Sequence, residues 1–88
     1  MDKFFKEVPQ ERRVAGYRRT VRGIRAEKIR CVLIARDADD CIVEDVKRLC
    51  EEKSVPYRFV CSKREMGERL HLEVPCAVCS EAIGSAKF

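Results

Sequence analysis

An α/β layered sandwich of one domain, its small sheet covered on both faces, is the fold this sequence predicts. Three observations carry it. Strand-like and helical patterns alternate in the order strand, helix, strand, helix, strand, at lengths that suit packed layers. The run C-V-L-I-A at residues 31–35 is almost wholly apolar rather than alternating, as in a strand buried on both sides. The chain has 88 residues, 45% hydrophobic and 39% charged, which suits one modest core and not a disordered chain. No Gly/Ser linker, low-complexity tract or internal repeat divides it, so residues 1–88 read as one domain.

Residues 1–13 form a charged lead-in, in which Phe4, Phe5 and Val8 are expected to pack a short helix onto the core before Pro9 stops it. The first long helix is predicted over residues 15–26. Tyr17, Val21 and Ile24 recur at spacings of four and three and share a face, while Arg18, Arg22 and Arg25 form the adjacent one, with Arg19 beside them. Gly23 inside this helix costs roughly 1 kcal/mol of propensity. A strand over residues 31–36 follows. Asp39 and Asp40 are placed to cap the next helix, whose inward stripe is Ile42, Val46, Leu49 and Cys50. Val55 and Pro56 make a turn into a strand over residues 57–61. Ser62 and Glu65 have capping-box spacing and open a short helix reaching about Arg69. Residues 72–79 are strand-like, interrupted by Pro75, and residues 80–88 are expected to form a last short helix.

Charge is uneven. Residues 1–30 carry ten Lys or Arg against four Asp or Glu, and residues 31–88 carry nine against eleven. The positive end coincides with the arginine-bearing helix, which favours an anionic partner without choosing among RNA, DNA and an acidic protein. Aromatic residues do not interleave with the basic ones as in single-strand binders. Recognition of a structured RNA through shape, phosphates and a few base edges fits better. No stretch approaches 18 apolar residues and no apolar signal region follows the charged start, so a cytoplasmic protein without a membrane partner is expected.

Six cysteines would suggest a disulfide scaffold only in a secreted chain, so free, reduced thiols are expected. Cys76 and Cys79 make a lone CxxC. With no second pair and His71 the only histidine, a zinc site lacks its ligands. Cys61 leaves a strand ahead of a helix, but Gly67 stands where a phosphate-loop thiol enzyme needs arginine. Asp37, Asp39 and Asp40 are accounted for by their place at a strand end and helix start. Neither a cofactor nor an enzymatic activity is expected. Beside RNA binding stand two alternatives: a basic structural or protein-interaction module, and, with less support, a thiol or zinc protein.

Three segments in order, G-Y-R-R-T-V-R-G-I at 16–24, V-L-I-A-R-D-A-D at 32–39 and E-E-K-S-V-P-Y-R-F-V-C-S-K-R-E-M-G at 51–67, resemble the L7Ae/L30e ribosomal-protein family, particularly its small bacterial L7Ae-like members. The resemblance spans residues 16–79. It implies a three-layer α/β/α sandwich on a small mixed four-stranded sheet, and a monomer that binds kink-turn or kink-turn-like RNA, ribosomal RNA included. By position, Gly16, Tyr17, Arg18, Arg19 and Arg22 would meet the tandem sheared G·A pairs. Val60, Cys61, Ser62, Lys63 and Arg64 match the loop at the flipped-out nucleotide, and Arg36 and Asp37 border the same end of the sheet. Two glycines common in the family are replaced by Glu27 and His71. Arginine stands at 18, where Lys or Asn is usual, and again at 19.

Overall fold

A computed structural model describes residues 4–86. Its elements are α1 (Phe4–Glu7), a 3-10 turn (Gln10–Arg12), β1 (Arg13–Ala15), α2 (Tyr17–Arg25), β2 (Ile29–Ile34), α3 (Asp40–Lys53), β3 (Tyr57–Phe59), α4 (Lys63–Arg69) and β4 (Val78–Ala82). The four strands form one mixed sheet in the order β1-β4-β2-β3. β2 and β3 run parallel, and β4 runs antiparallel to both β1 and β2.

Side-chain alternation assigns the helices to opposite faces. Val14, Ser80 and Val32 lie side by side across the sheet, and Ser80 Oγ meets the buried Thr20 Oγ1 of α2 at 3.0 Å. Tyr17 of α2 donates its phenol proton to Asp45 of α3, so α2 and α3 form one layer. Arg13, one residue from Val14, turns the other way. Its guanidinium donates to the carbonyls of Val8 at 2.9 Å and Phe5 at 2.7 Å, which holds α1 on the opposite face. The Arg69 guanidinium of α4 stands 5.6 Å from the Phe5 ring centre, so α4 shares that layer. Val14, Ile24, Val32, Leu33, Ile34, Val46, Met66 and Val78 are fully buried between the layers. The three-layer sandwich expected from the resemblance is the one observed.

Several local expectations move. α2 starts at Tyr17, with Gly16 as its N-cap residue, rather than at 15. β2 begins two residues early because Ile29 is buried and pairs with Ala82. It ends at Ile34, since the Arg36 amide turns to the Cys61 carbonyl. Asp39 occupies the N-cap of α3, yet its side chain caps nothing. β1 escaped the sequence reading because three residues, R-V-A, carry almost no periodic signal.

The largest correction concerns the C-terminal end. Residues 72–77 are loop, consistent with Pro75, and the strand is Val78–Ala82. Ser80, Glu81 and Ala82 therefore pair with β1 and β2 instead of opening a helix, and residues 83–86 form no helix either. Residues 87 and 88 of that expected helix, and 1–3 of the lead-in, lie outside the described residues. β4 is central and all five of its residues are buried. A central strand with no solvent face has no polar alternation to reveal it.

All six cysteines are free. Cys50 lies wholly inside the core, and burial, with Glu51 adjacent, pushes its thiol from 9.0 up to about 11. The fold thus favours the neutral thiol. That contribution to stability is intact below the unfolded value and is lost as pH rises through about 11. At pH 8 the exposed Cys41 is expected to alkylate within minutes while Cys50 stays unmodified until the protein unfolds, as peptide mass spectrometry will report.

Candidate nucleic-acid interface

The topology gathers the sequence-predicted residues at one end of the sheet. β1, β2 and β3 point the same way, so the segments leaving them, Gly16 onward, Ala35 onward and Val60 onward, emerge along one edge. Five backbone and side-chain bonds knit that edge together. The Gly16 amide donates to Val78 O at 2.9 Å and the Ala35 amide to Ala77 O at 2.8 Å. Arg36 N–H reaches Cys61 O at 2.8 Å, and Cys76 N–H reaches Lys63 O at 3.0 Å. Asp37 Oδ1 accepts the Lys63 amide at 2.8 Å. Loops at the carboxyl ends of parallel strands are the usual place for a ligand in an open α/β sheet.

Within this edge the roles divide. Gly16 adopts φ 101 and ψ 154, close to a region that side-chain-bearing residues essentially avoid, and so aims α2 back down the sheet. Tyr17 is a strut. Its phenol is held by Asp45, which also accepts from Arg48 at 2.6 Å, and that carboxylate hydrogen bond holds the phenol pKa above the usual tyrosine value. Ser62 caps α4, accepting the Glu65 amide at 3.1 Å, as its capping-box spacing predicts. Asp37 serves the loop, as its contact with Lys63 shows. Cys61 is half-buried, its thiol pKa raised by burial and by Glu65, and Val60 beside it packs against the core. These six residues build the edge.

The cations are its outward chemistry. Arg18, Arg22, Arg36 and Arg64 are exposed. Arg64 sits 3.7 Å from Glu68, a surface pair of little energetic worth. Arg19 donates to Ala86 O at 3.2 Å, on the β1 side of α2, while Arg22 lies one turn down the helix. The start of α2 has no side-chain cap and no acid in its first turn. The first intrahelical bond runs from Thr20 N–H to Gly16 O, leaving the amides of residues 17–19 without one. A helix N-terminus is the positive end of its dipole and favours acids, so arginines in that turn oppose fold stability and favour an anion.

The loop at 72–77 also lies on this edge and was missed, because its apolar letters read as strand. Val74 is 63% exposed there beside exposed Pro75, an apolar spot on the loop. The Cys76 thiol donates to Val78 O at 3.1 Å and Cys79 is buried in β4, so the CxxC is packing. Among the described residues no group of three or more His, Cys, Asp or Glu could hold a metal ion.

The sequence model of the ribosomal protein L7Ae/L30e/S12e/Gadd45 family matches residues 3–86. The chain belongs to this family. Among its L7Ae-family relatives, RNA-binding protein TTE2299 of Caldanaerobacter subterraneus subsp. tengcongensis is 30% identical over 73 residues, which cover 83% of this chain and 89% of that one. The 15.5kD RNA binding protein of Giardia lamblia superposes with a TM-score of 0.74 at 33% identity, over 81% of this chain. This chain spans 60% of the Giardia protein's length. A protein of unknown function from Bacillus halodurans reaches the same TM-score of 0.74 at 14% identity, covering 80% of this chain and 70% of its own, and supports the L7Ae fold alone.

Proposed function

We infer that this L7Ae-family chain is a non-catalytic RNA-binding protein that clasps a kink-turn or kink-turn-like RNA against the edge where β1, β2 and β3 end. One observation carries the reading. The acid-free, uncapped start of α2, with the amides of residues 17–19 outside the intrahelical ladder and Arg18 and Arg19 in its first turn, stands at the same edge as the exposed Arg36 side chain. Backbone amides and guanidinium groups converging on one edge suit phosphate oxygens and the acceptor edges of guanine. The names of two relatives, one bacterial and one from Giardia, point to RNA as well. The protein acts as a cytoplasmic monomer, with ribosomal RNA among its targets. Cosedimentation with ribosomal subunits is the check on that last point.

A fluorescence titration against a labelled kink-turn RNA at physiological salt tests the reading. The control is the same RNA with its tandem G·A pairs replaced by Watson–Crick pairs. Tight binding that weakens at least about tenfold in the control is expected, since each wrong contact costs about 1–3 kcal/mol. Equal, weak binding to both would leave a basic module without kink-turn specificity, for which an acidic protein surface becomes the partner to seek.

A further inference from the structure

The cations of α2 do not stop at the sheet edge. Arg18, Arg22 and Arg25 recur at i, i+4 and i+7, and at 100° per residue they fall within one stripe about 60° wide. All three are exposed, and none has a carboxylate within 4 Å among the described residues. The arginines of α3 and α4 contrast with them, because Arg48, Arg64 and Arg69 each stand within 4 Å of an acid on their own helix. α2 carries no acid at any of its nine positions. Asp45 on the neighbouring helix is already held by Tyr17 and Arg48. The stripe is thus a row of unneutralised charge running from the proposed RNA edge toward the far end of the sheet.

We propose that a duplex stem of the bound RNA continues past the kink and lies along α2, with Arg18, Arg22 and Arg25 meeting successive phosphates of one strand. The dimensions agree. Seven residues of helix span about 10 Å; a B-form duplex sets a phosphate about every 3.4 Å of axis on each strand and the A-form rise of RNA is shorter, so at least about three fall within that length. Arg25 is the residue this adds, since it lies two turns from the edge and beyond reach of the G·A pairs there. A guanidinium on a phosphate supplies affinity and register without sequence preference. The inference rests on the RNA-binding reading above and assigns it a second contact zone.

The test compares the full chain with Arg25→Ala, which keeps a strong helix former at that position. Two kink-turn RNAs are used, one with the stem beside the G·A pairs at full length and one with its outer base pairs removed. Binding is measured at several salt concentrations. On the long stem, Arg25→Ala is expected to weaken binding about threefold to tenfold and to reduce the salt slope by nearly one phosphate. On the short stem, wild type and variant are expected to coincide. Arg30→Ala removes an exposed arginine off the stripe and serves as control, expected to match wild type on both RNAs. An unchanged slope for Arg25→Ala on the long stem, or a loss equal on both RNAs, overturns the stem contact while G·A discrimination by wild type still upholds the first reading. Wild-type protein that cannot tell the kink-turn RNA from its Watson–Crick control overturns both.

Discussion

Gly67→Ala is expected to destabilise the domain by about 2–3 kcal/mol, although alanine is the better helix former by about 1 kcal/mol. Gly67 is buried in α4 beneath the loop at residues 72–77. A methyl there would overlap the Val74 carbonyl oxygen and stand 3.2 Å from Pro75 Cα. Both are backbone atoms, so no side chain can swing away. The loop itself must move, and it carries the bonds from Cys76 N–H to Lys63 and from Ala35 N–H to Ala77 that tie α4 and β2 to this edge. Added methyls at Gly16 or Gly84 meet nothing within 4 Å, so crowding is confined to Gly67 among these three. In a domain this small the loss corresponds to a melting temperature lower by about 10–20 °C. Thermal unfolding followed by circular dichroism checks it. An unchanged Tm would mean that Val74 and Pro75 yield without resistance and that the edge is softer than its hydrogen bonds imply.

The parts of this molecule legible in the sequence are those whose two sides differ. α2 announced itself through Tyr17, Val21 and Ile24 against a face of arginines, and α4 through the Ser62 cap, because each has one wet and one dry side. β4 hid for the opposite reason. Val78 to Ala82 is buried throughout, and its polar members, Ser80 and Glu81, find partners inside the protein: Thr20 for the one, Arg12 at 3.7 Å for the other. Local letters could not foretell that S-E-A would be core. The candidate site was legible in membership but not in division of labour. Nothing in the sequence distinguishes Tyr17 and Asp37, which brace the edge, from Arg18 and Arg64, which are exposed on it. That distinction rests on Asp45, 28 residues away from Tyr17, and on the hydrogen bond from the Lys63 amide to Asp37 that joins two loops.

Departures from the family pattern were legible too. Glu27 and His71, where glycine is common, adopt φ 57 and φ 60, the left-handed backbone that glycine occupies without strain. The fold keeps the turns and tolerates the side chains there, both of which are exposed. Neither position lies among the residues that build the edge where β1, β2 and β3 end, so the replacements bear on the turns of the fold. The two arginines at 18 and 19 stand at that edge, where the proposed RNA contact would test them.

Arg18→Glu separates those two properties, since it is expected to raise stability while abolishing tight RNA binding. Position 18 is exposed in the first turn of a helix with no acid and no side-chain cap, where a carboxylate interacts favourably with the dipole by about 0.3–1 kcal/mol. The introduced acid also stands four residues ahead of Arg22, the better orientation for a helical ion pair worth about 0.3–0.5 kcal/mol. Fold stability alone would therefore place a carboxylate here, and the proposed RNA contact is the reason offered for arginine at this position. Against RNA the change removes one phosphate or base-edge contact and sets a negative charge beside the backbone, a loss of about 100-fold or more at physiological salt. Tm and RNA affinity measured on the same sample decide the matter. A higher Tm with lost binding identifies Arg18 as a residue kept for its partner at the fold's expense. A lower Tm would make it a structural element of α2. Intact binding would move the RNA off this edge altogether, and the arginine stripe with it.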